Sequence, residues 1–362
     1  MVSNEPPYLR YLFSKAREKN VPLSATFELT SRCNFNCKMC YIHDSESSKL
    51  KEKELTTQQW IDIADKAKDA GSLLLLITGG EPLLRPDFPE IYVHCKKIGL
   101  EVSVNTNASL ITDEHIAMFR EYPPNRLNVS LYGACEETYA NVTCRSGYYK
   151  KVTDTIKKLR EAEIAVKISV TVSSYNSGDL PELFKIAKSF DVPIETACYL
   201  FPSARLGKET DRPSPQEAAR NMITSDICYF ESDKLHERAK SLCRIDECVG
   251  EKEKTRGTGM KCRGGITALW ITYDGIMLPC GMMTKPCSSV IENGFAQAWK
   301  EVNEATKKIV LPEKCSKCKF EDICESCAAA CYTETGSFSE VPEYLCKKTQ
   351  EYVRITKEEL NK

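Results

Sequence analysis

Three cysteines, Cys33, Cys37 and Cys40, stand at x3 and x2 spacing in the stretch TSRCNFNCKMCYIH. Thiolates so spaced can converge from a single loop on one iron–sulfur cubane, leaving one iron without a protein ligand. An open iron is a place for a substrate or cofactor to coordinate. A zinc site more often shows paired CxxC elements and a fourth ligand. His43 offers that fourth ligand, so zinc stays open on this loop alone. A second concentration follows far downstream: Cys262, Gly275 and Cys280, then Cys315, Cys318, Cys324, Cys327 and Cys331, then Cys346. Two closed cubanes require eight thiolates. The CxxC-x5-CxxC portion, taken by itself, also admits a zinc ribbon.

The chain has 362 residues and 19 cysteines, an odd count that fits poorly with a complete disulfide framework. A net charge of −1 gives no electrostatic footprint for nucleic acid or an anionic membrane. The longest apolar run, 73–77, is strand-sized, and the first residues lack the basic-then-apolar order of a signal peptide. These features predict a cytoplasmic protein whose reduced thiols serve metal or cluster ligation.

The elements that must position these residues alternate from about residue 23 to 200. Segments 24–29, 73–77, 101–105, 126–131, 167–172 and 194–200 are rich in β-branched and aliphatic residues and predict strands. Between them lie helical patterns. Thr56 and Gln59 form a capping box, Leu55 and Trp60 its hydrophobic staple, and Gly71 a C-terminal stop. A second helix over 153–161 places Val152, Ile156 and Leu159 on one face. Six strands alternating with helices predict an α/β domain, a partial (β/α)6 barrel of TIM-like type. The expected organisation is an N-terminal extension over 1–22, the barrel over 23–205, a helical bridging region over 206–261 and a cysteine-rich domain over 262–362. The run 250–261 reads as a solvated linker. Three further motifs fall at strand ends: TGGEPLL (78–84), NTNA (105–108) and VSLYG (129–133). In barrels of this kind the C-terminal ends of the strands carry the chemistry.

CxxxCxxC after the first strand, followed by these motifs in this order, resembles the signature of the radical S-adenosylmethionine (SAM) superfamily. The resemblance covers about residues 23–200. It implies a [4Fe–4S] cluster on Cys33, Cys37 and Cys40 that chelates SAM and cleaves it reductively to a 5′-deoxyadenosyl radical. It implies cofactor contacts from Gly79, Gly80, Glu81 and Pro82, from Asn105 and Asn107, and from Ser130 and Arg145, with Tyr41 near the adenine. Tyr132 replaces the usual Asp of the VSLYG segment, which puts that carboxylate's role in doubt.

The downstream cysteines are similar to the SPASM extension, which carries two auxiliary [4Fe–4S] clusters. By that resemblance one cluster would use Cys315, Cys318, Cys324 and Cys346. The other would use Cys262 and Cys280 with Cys327, Cys331 or both, the last being preferred because it completes four. Cys243, Cys248 and Cys287 fit no position cleanly and are candidate spare ligands, and Cys95, Cys135, Cys144, Cys198 and Cys228 read most simply as buried thiols. Cys198, on the sixth strand, would be a candidate catalytic hydrogen-atom donor if its thiol faced the cavity.

Relatives with two auxiliary clusters mostly modify peptides, so the expected substrate is a peptide or small protein and the expected electron donor a flavodoxin or ferredoxin. Sulfatase-maturating relatives place an Asp directly after the cysteine aligned with Cys280, and Gly281 here argues against that activity. Only 22 residues precede the first strand region, so leader recognition would fall to a separate protein or to the barrel itself. The rival readings are a radical SAM enzyme acting on a small molecule such as a tetrapyrrole, and a non-enzymatic zinc-binding scaffold.

Overall fold

A computed structural model describes residues 5–42, 51–203, 212–230, 232–247 and 257–360. His43, Cys248 and most of 250–261 lie outside the described residues, as does the side chain of Cys243. A helix α1 (Pro7–Lys19) leads into six parallel strands: β1 (Ser24–Glu28), β2 (Leu74–Thr78), β3 (Glu101–Thr106), β4 (Arg126–Ser130), β5 (Val166–Thr171) and β6 (Ile194–Ala197). Their order in the sheet is their order in the chain, each strand pairing in parallel with the next. Helices α2 (Thr57–Asp69), α3 (Phe88–Lys97), α4 (Asp113–Glu121), α5 (Glu136–Thr143), α6 (Tyr149–Glu161) and α7 (Leu180–Ser189) fill the connections. The partial (β/α)6 barrel expected from the sequence is the fold observed.

Side-chain alternation explains both faces of this sheet. Phe27, Ile77, Val104, Val129 and Ile168 are fully buried and belong to the main core with Trp60, Ile91 and Ile156. Their neighbours along each strand point the other way, because successive strand residues face opposite sides. On that second face stand Thr78, Asn105, Asn128, Ser130, Ser169 and Thr171, which border a cavity. The helix α2 forms as its sequence dictates. Thr56 Oγ1 accepts from the Gln59 N–H, Gln59 reaches back to the Thr56 N–H, and Leu55 and Trp60 are buried together. The chain stops at Ala70, with Gly71 beyond it at φ +98°.

The later part of the chain is built onto the same sheet. Strand β7 (Ala268–Ile271) pairs in parallel with β1, matching Trp270 with Thr26 and Ile271 with Phe27. Strands β8 (Ile276–Leu278) and β9 (Ser288–Ser289) then add antiparallel. The Trp270 indole N–H donates to Glu28 Oε2 at 2.8 Å. Helix α10 (Phe295–Lys307) returns across the core, where the Trp299 indole N–H donates to the Asn20 carbonyl. Short α11 (Glu313–Ser316), α12 (Ala328–Thr335) and the long α13 (Glu343–Leu360) follow. Helices α8 (Pro215–Tyr229) and α9 (Ser232–Glu247), from the bridging region, pack on α13 through a shared polar knot. There Arg238 Nε donates to Asp226 and to the Tyr352 hydroxyl, each at 3.1 Å, and Tyr352 donates to Asp226. Among the described residues no helix is long and apolar enough to cross a membrane.

Candidate functional site

The loop after β1 carries the three closely spaced thiols and is fixed from behind by charge. Arg32 makes a bidentate pair with Glu54, Nε to Oε1 at 2.8 Å and the second nitrogen to Oε2 at 2.9 Å. Arg85, itself buried, donates to the carbonyls of Leu29 and Leu55 and pairs with Asp87. From the side of α5, the carbonyls of Thr143 and Val142 accept the N–H groups of Asn36 and Lys38. Phe35 is buried edge-on against Tyr139 and Tyr148. The loop's apolar residues therefore anchor it while Cys33, Cys37 and Cys40 border a cavity of about 370 Å³ at the strand C-termini.

The glycines of TGGEP serve this loop directly. A Cβ on Gly79 would lie 2.4 Å from the Thr30 carbonyl oxygen, and one on Gly80 would lie 2.2 Å from that of Arg32. Without side chains, the two backbones run as a ladder. Gly80 N–H donates to Thr30 and Glu81 N–H to Arg32, at 2.8 and 2.9 Å. Thr78, Gly79 and Gly80 still border the cavity.

Glu81 and Pro82 do not border it. The Glu81 side chain is fully buried and accepts three hydrogen bonds: from Asn107 N–H at 2.7 Å, Thr106 Oγ1 at 2.8 Å and Leu83 N–H at 3.2 Å. Its role in this structure is to lock the loop after β3 to the loop after β2. Burial pushes its carboxyl up to about 7, against the pull of those three donors. An acid whose folded pKa lies above its ordinary 4.5 contributes stability that is fully present below about pH 4.5 and lost as pH rises through about 7. Denaturant midpoints of the wild type and Glu81→Gln, compared between about pH 4.5 and 8, should diverge on the order of 3 kcal/mol. Parallel midpoints would show that Glu81 does not titrate in this window.

Asn107 links the second loop to the thiols. Its amide donates to Asn34 Oδ1 at 2.9 Å and toward Cys33 Sγ at 3.8 Å, while its oxygen accepts from Ser109. The Phe35 N–H also donates to Cys33 Sγ, at 3.4 Å. Burial pushes the Cys33 thiol up to about 12 and the Cys37 thiol well above its ordinary value. Ligation must displace those protons, and a cationic iron centre together with N–H donors supplies the stabilisation that burial withholds. Among the described residues no three Cys, His, Asp or Glu side chains converge on a single ion position. A cubane instead takes one thiolate per iron, so the donor set and the glycine-lined approach fit a cluster with a chelating cofactor.

The polar wall of the cavity was only partly legible in the motifs. Asn105, Ser130, Asn107 and Tyr41 border it as expected. Asn128, Ser169 and Thr171 join them, and strict polar–apolar alternation in β4 and β5 was the signal that could have found them. Asn128 Nδ2 donates to Asn105 Oδ1 at 2.8 Å, and Arg126 Nε donates to Asn128 Oδ1 at 3.1 Å. Tyr132, at the position of the absent carboxylate, places its hydroxyl 3.1 Å from Ser130 Oγ, and burial raises its pKa. Arg145 is exposed and donates to the Asn34 carbonyl at 2.9 Å rather than bordering the cavity. Cys198 turns away from it. Its thiol lies 3.7 Å from Ser225 Oγ of α8, while Ala197 and Tyr199 border the cavity, so the condition for a hydrogen-donor role is not met.

Met282 and Phe201 complete the cavity wall, and both pack in one apolar cluster with Cys280 and Cys327. Cys327 feels Cys262 and Cys280, whereas Cys315 and Cys346 feel Cys318 and Cys324. Cys331, fully buried on α12, is influenced most among the thiols by Cys315 and Cys324. Cys331, expected with Cys262 and Cys280, lies one helical turn from Cys327, its sulfur 3.8 Å from Ser326 Oγ. N–H groups aim at two of these sulfurs, Met282 at Cys280 and Ala330 at Cys327, each at 3.5 Å. Cys287 is exposed. At Gly281 a Cβ would lie 2.7 Å from the Trp270 ring, so the indole bonded to Glu28 occupies the space of any side chain there.

Residues 27–187 match the Radical SAM superfamily. The AdoMet-dependent heme synthase of Methanosarcina barkeri (strain Fusaro / DSM 804) is 30% identical over 344 residues, covering 90% of this chain and 96% of that protein. The sporulation killing factor maturation protein SkfB of Bacillus subtilis (strain 168) is 26% identical over 309 residues, covering 84% and 70%. Among solved structures, Streptococcus suis SuiB bound to precursor peptide SuiA superposes with a TM-score of 0.69 at 17% identity, covering 95% of this chain and 82% of SuiB. With its cysteine loop, glycine ladder and strand-end cavity, this chain belongs to the radical S-adenosylmethionine superfamily.

Proposed function

We propose that this radical SAM enzyme abstracts a hydrogen atom from a peptide substrate and passes the remaining electron toward auxiliary clusters on its C-terminal side. In this reading Cys33, Cys37 and Cys40 hold the [4Fe–4S] cluster. Cys315, Cys318, Cys324 and Cys346 hold one auxiliary cluster, and Cys262, Cys280 and Cys327 hold another with one iron left open. The observation that carries it is the cavity, bordered both by the three thiols of the first loop and by Met282, which packs in one cluster with Cys280 and Cys327.

When bound, cluster and cofactor supply one-electron cleavage of SAM and a radical able to take hydrogen from an unactivated carbon. The chain's own residues do the rest. Gly79 and Gly80 let backbone approach the cofactor, and Asn105, Asn128 and Ser130 offer neutral hydrogen-bonding groups to a polar ligand. Tyr132, Tyr199 and Phe201 exclude water from the reacting space. The substrate end of the cavity is walled by Leu200, Phe201 and Met282, and among the described lining residues none is charged. A neutral peptide side chain suits such a wall. SuiB is bound to a precursor peptide, and SkfB is named a maturation protein, which supports the same class.

A second reading has its own support, because the 30%-identical relative is named a heme synthase. An iron tetrapyrrole carrying carboxylates calls for Arg or Lys partners, which the described wall does not provide. The anaerobically reconstituted chain, supplied with SAM, a reductant and either short precursor peptides encoded beside its gene or an iron tetrapyrrole carboxylate, distinguishes them. Formation of 5′-deoxyadenosine that rises with peptide is expected. A rise with the tetrapyrrole alone would overturn the peptide assignment, and zinc without sulfide in the protein would overturn the cluster assignment.

A further inference from the structure

A buried ammonium lies where the cysteine-rich region meets the cavity wall. Lys348 is 1% exposed, on α13 two residues after Cys346. Its Nζ pairs with Glu325, the residue directly after Cys324, and lies 5.5 Å from the centre of the Tyr199 ring. Tyr199 borders the cavity on one side and on the other packs with Cys324 and Cys327. A lysine is almost never fully buried without a specific partner. Stability alone does not account for it, since exchanging a buried ion pair for apolar side chains is commonly neutral or favourable.

The pair is unequal. Glu325 is 35% exposed, so water screens its charge, whereas the ammonium is shielded from water and acts through protein of low dielectric. The two charges act with opposite sign on nearby thiols: at Cys198, Glu325 disfavours the thiolate and Lys348 favours it. An iron–sulfur centre gains one negative charge when it accepts one electron, and its potential follows nearby charge and solvent exposure. Of the lysines acting on Cys315, Lys261 is paired with Glu321, and Lys314, which also acts on Cys346, is exposed.

We infer that Lys348 raises, and Glu325 lowers, the reduction potential of the auxiliary centre held by Cys315, Cys318, Cys324 and Cys346. The inference rests on the auxiliary-cluster reading given above.

The test uses full-length chain carrying Cys33→Ala, Cys37→Ala and Cys40→Ala, reconstituted anaerobically, so that only auxiliary centres remain. Iron, sulfide and the electron paramagnetic resonance signal are followed during a redox titration. Lys348→Met should move the midpoint downward and Glu325→Gln upward, while Lys348→Arg, which keeps the charge, should leave it near the wild-type value. Opposite shifts from the two charge deletions are not what a merely structural role produces. If Lys348→Met does not load clusters, Glu325→Gln and Lys348→Arg still decide the sign. Midpoints indifferent to all three substitutions overturn the inference alone. A triple variant without any cluster overturns the auxiliary-centre reading and the inference with it.

Discussion

Replacing Cys33, Cys37 or Cys40 singly by alanine is expected to abolish reductive cleavage of SAM while leaving the chain folded. Each thiol borders the cavity on a loop whose anchorage lies elsewhere, in the Arg32–Glu54 pair, the backbone bonds to Val142 and Thr143 and the burial of Phe35. Removing one sulfur deletes a ligand without deleting those contacts. A cubane left with two protein ligands on this loop is not retained, and iron should fall from roughly twelve to roughly eight per chain if three cubanes are present. Cys135→Ala, at an exposed thiol outside every proposed site, is the matched control and should keep both iron and activity. The measurements are iron and sulfide content and 5′-deoxyadenosine formed with SAM and dithionite. A single alanine variant that still forms 5′-deoxyadenosine at the wild-type rate would remove that cysteine from the ligand set.

The second large effect is expected at Gly80. A methyl group there would meet the Arg32 carbonyl oxygen at 2.2 Å and the Ser31 carbonyl oxygen at 2.8 Å, both backbone atoms that cannot step aside as a flexible side chain would. Gly80→Ala must then break the ladder in which Gly80 and Glu81 donate to Thr30 and Arg32, directly upstream of Cys33. Overpacking of this kind costs about 1–3 kcal/mol, and more where backbone has to move. The expected result is a lower thermal midpoint together with weakened SAM binding and reduced cluster loading, since the displaced segment carries the first ligand. Gly178→Ala provides the contrast, because a Cβ at Gly178 meets nothing within 4 Å. A Gly80→Ala chain that binds SAM and loads iron like the wild type would show that the two loops separate freely, and the positioning role given to TGGEP would fail.

Sequence determined what depends on short-range chemistry. Cys33, Cys37 and Cys40 lie within one loop, so their nearness to one another needs no knowledge of the rest of the chain. The capping box at Thr56 and Gln59, and the alternation of strands with helices, are equally local, and the crossover rule turns that alternation into sheet order. Tertiary structure alone decided matters that depend on contacts between distant segments. Glu81 belongs to a cofactor motif by its position, yet its carboxylate turns inward because Asn107, Thr106 and Leu83 present three donors there. Cys198 and Tyr199 are adjacent in the chain, but opposite pointing sends one against α8 and the other into the cavity wall. Strand β7 joins β1 across more than 240 residues of chain, a pairing no local pattern encodes.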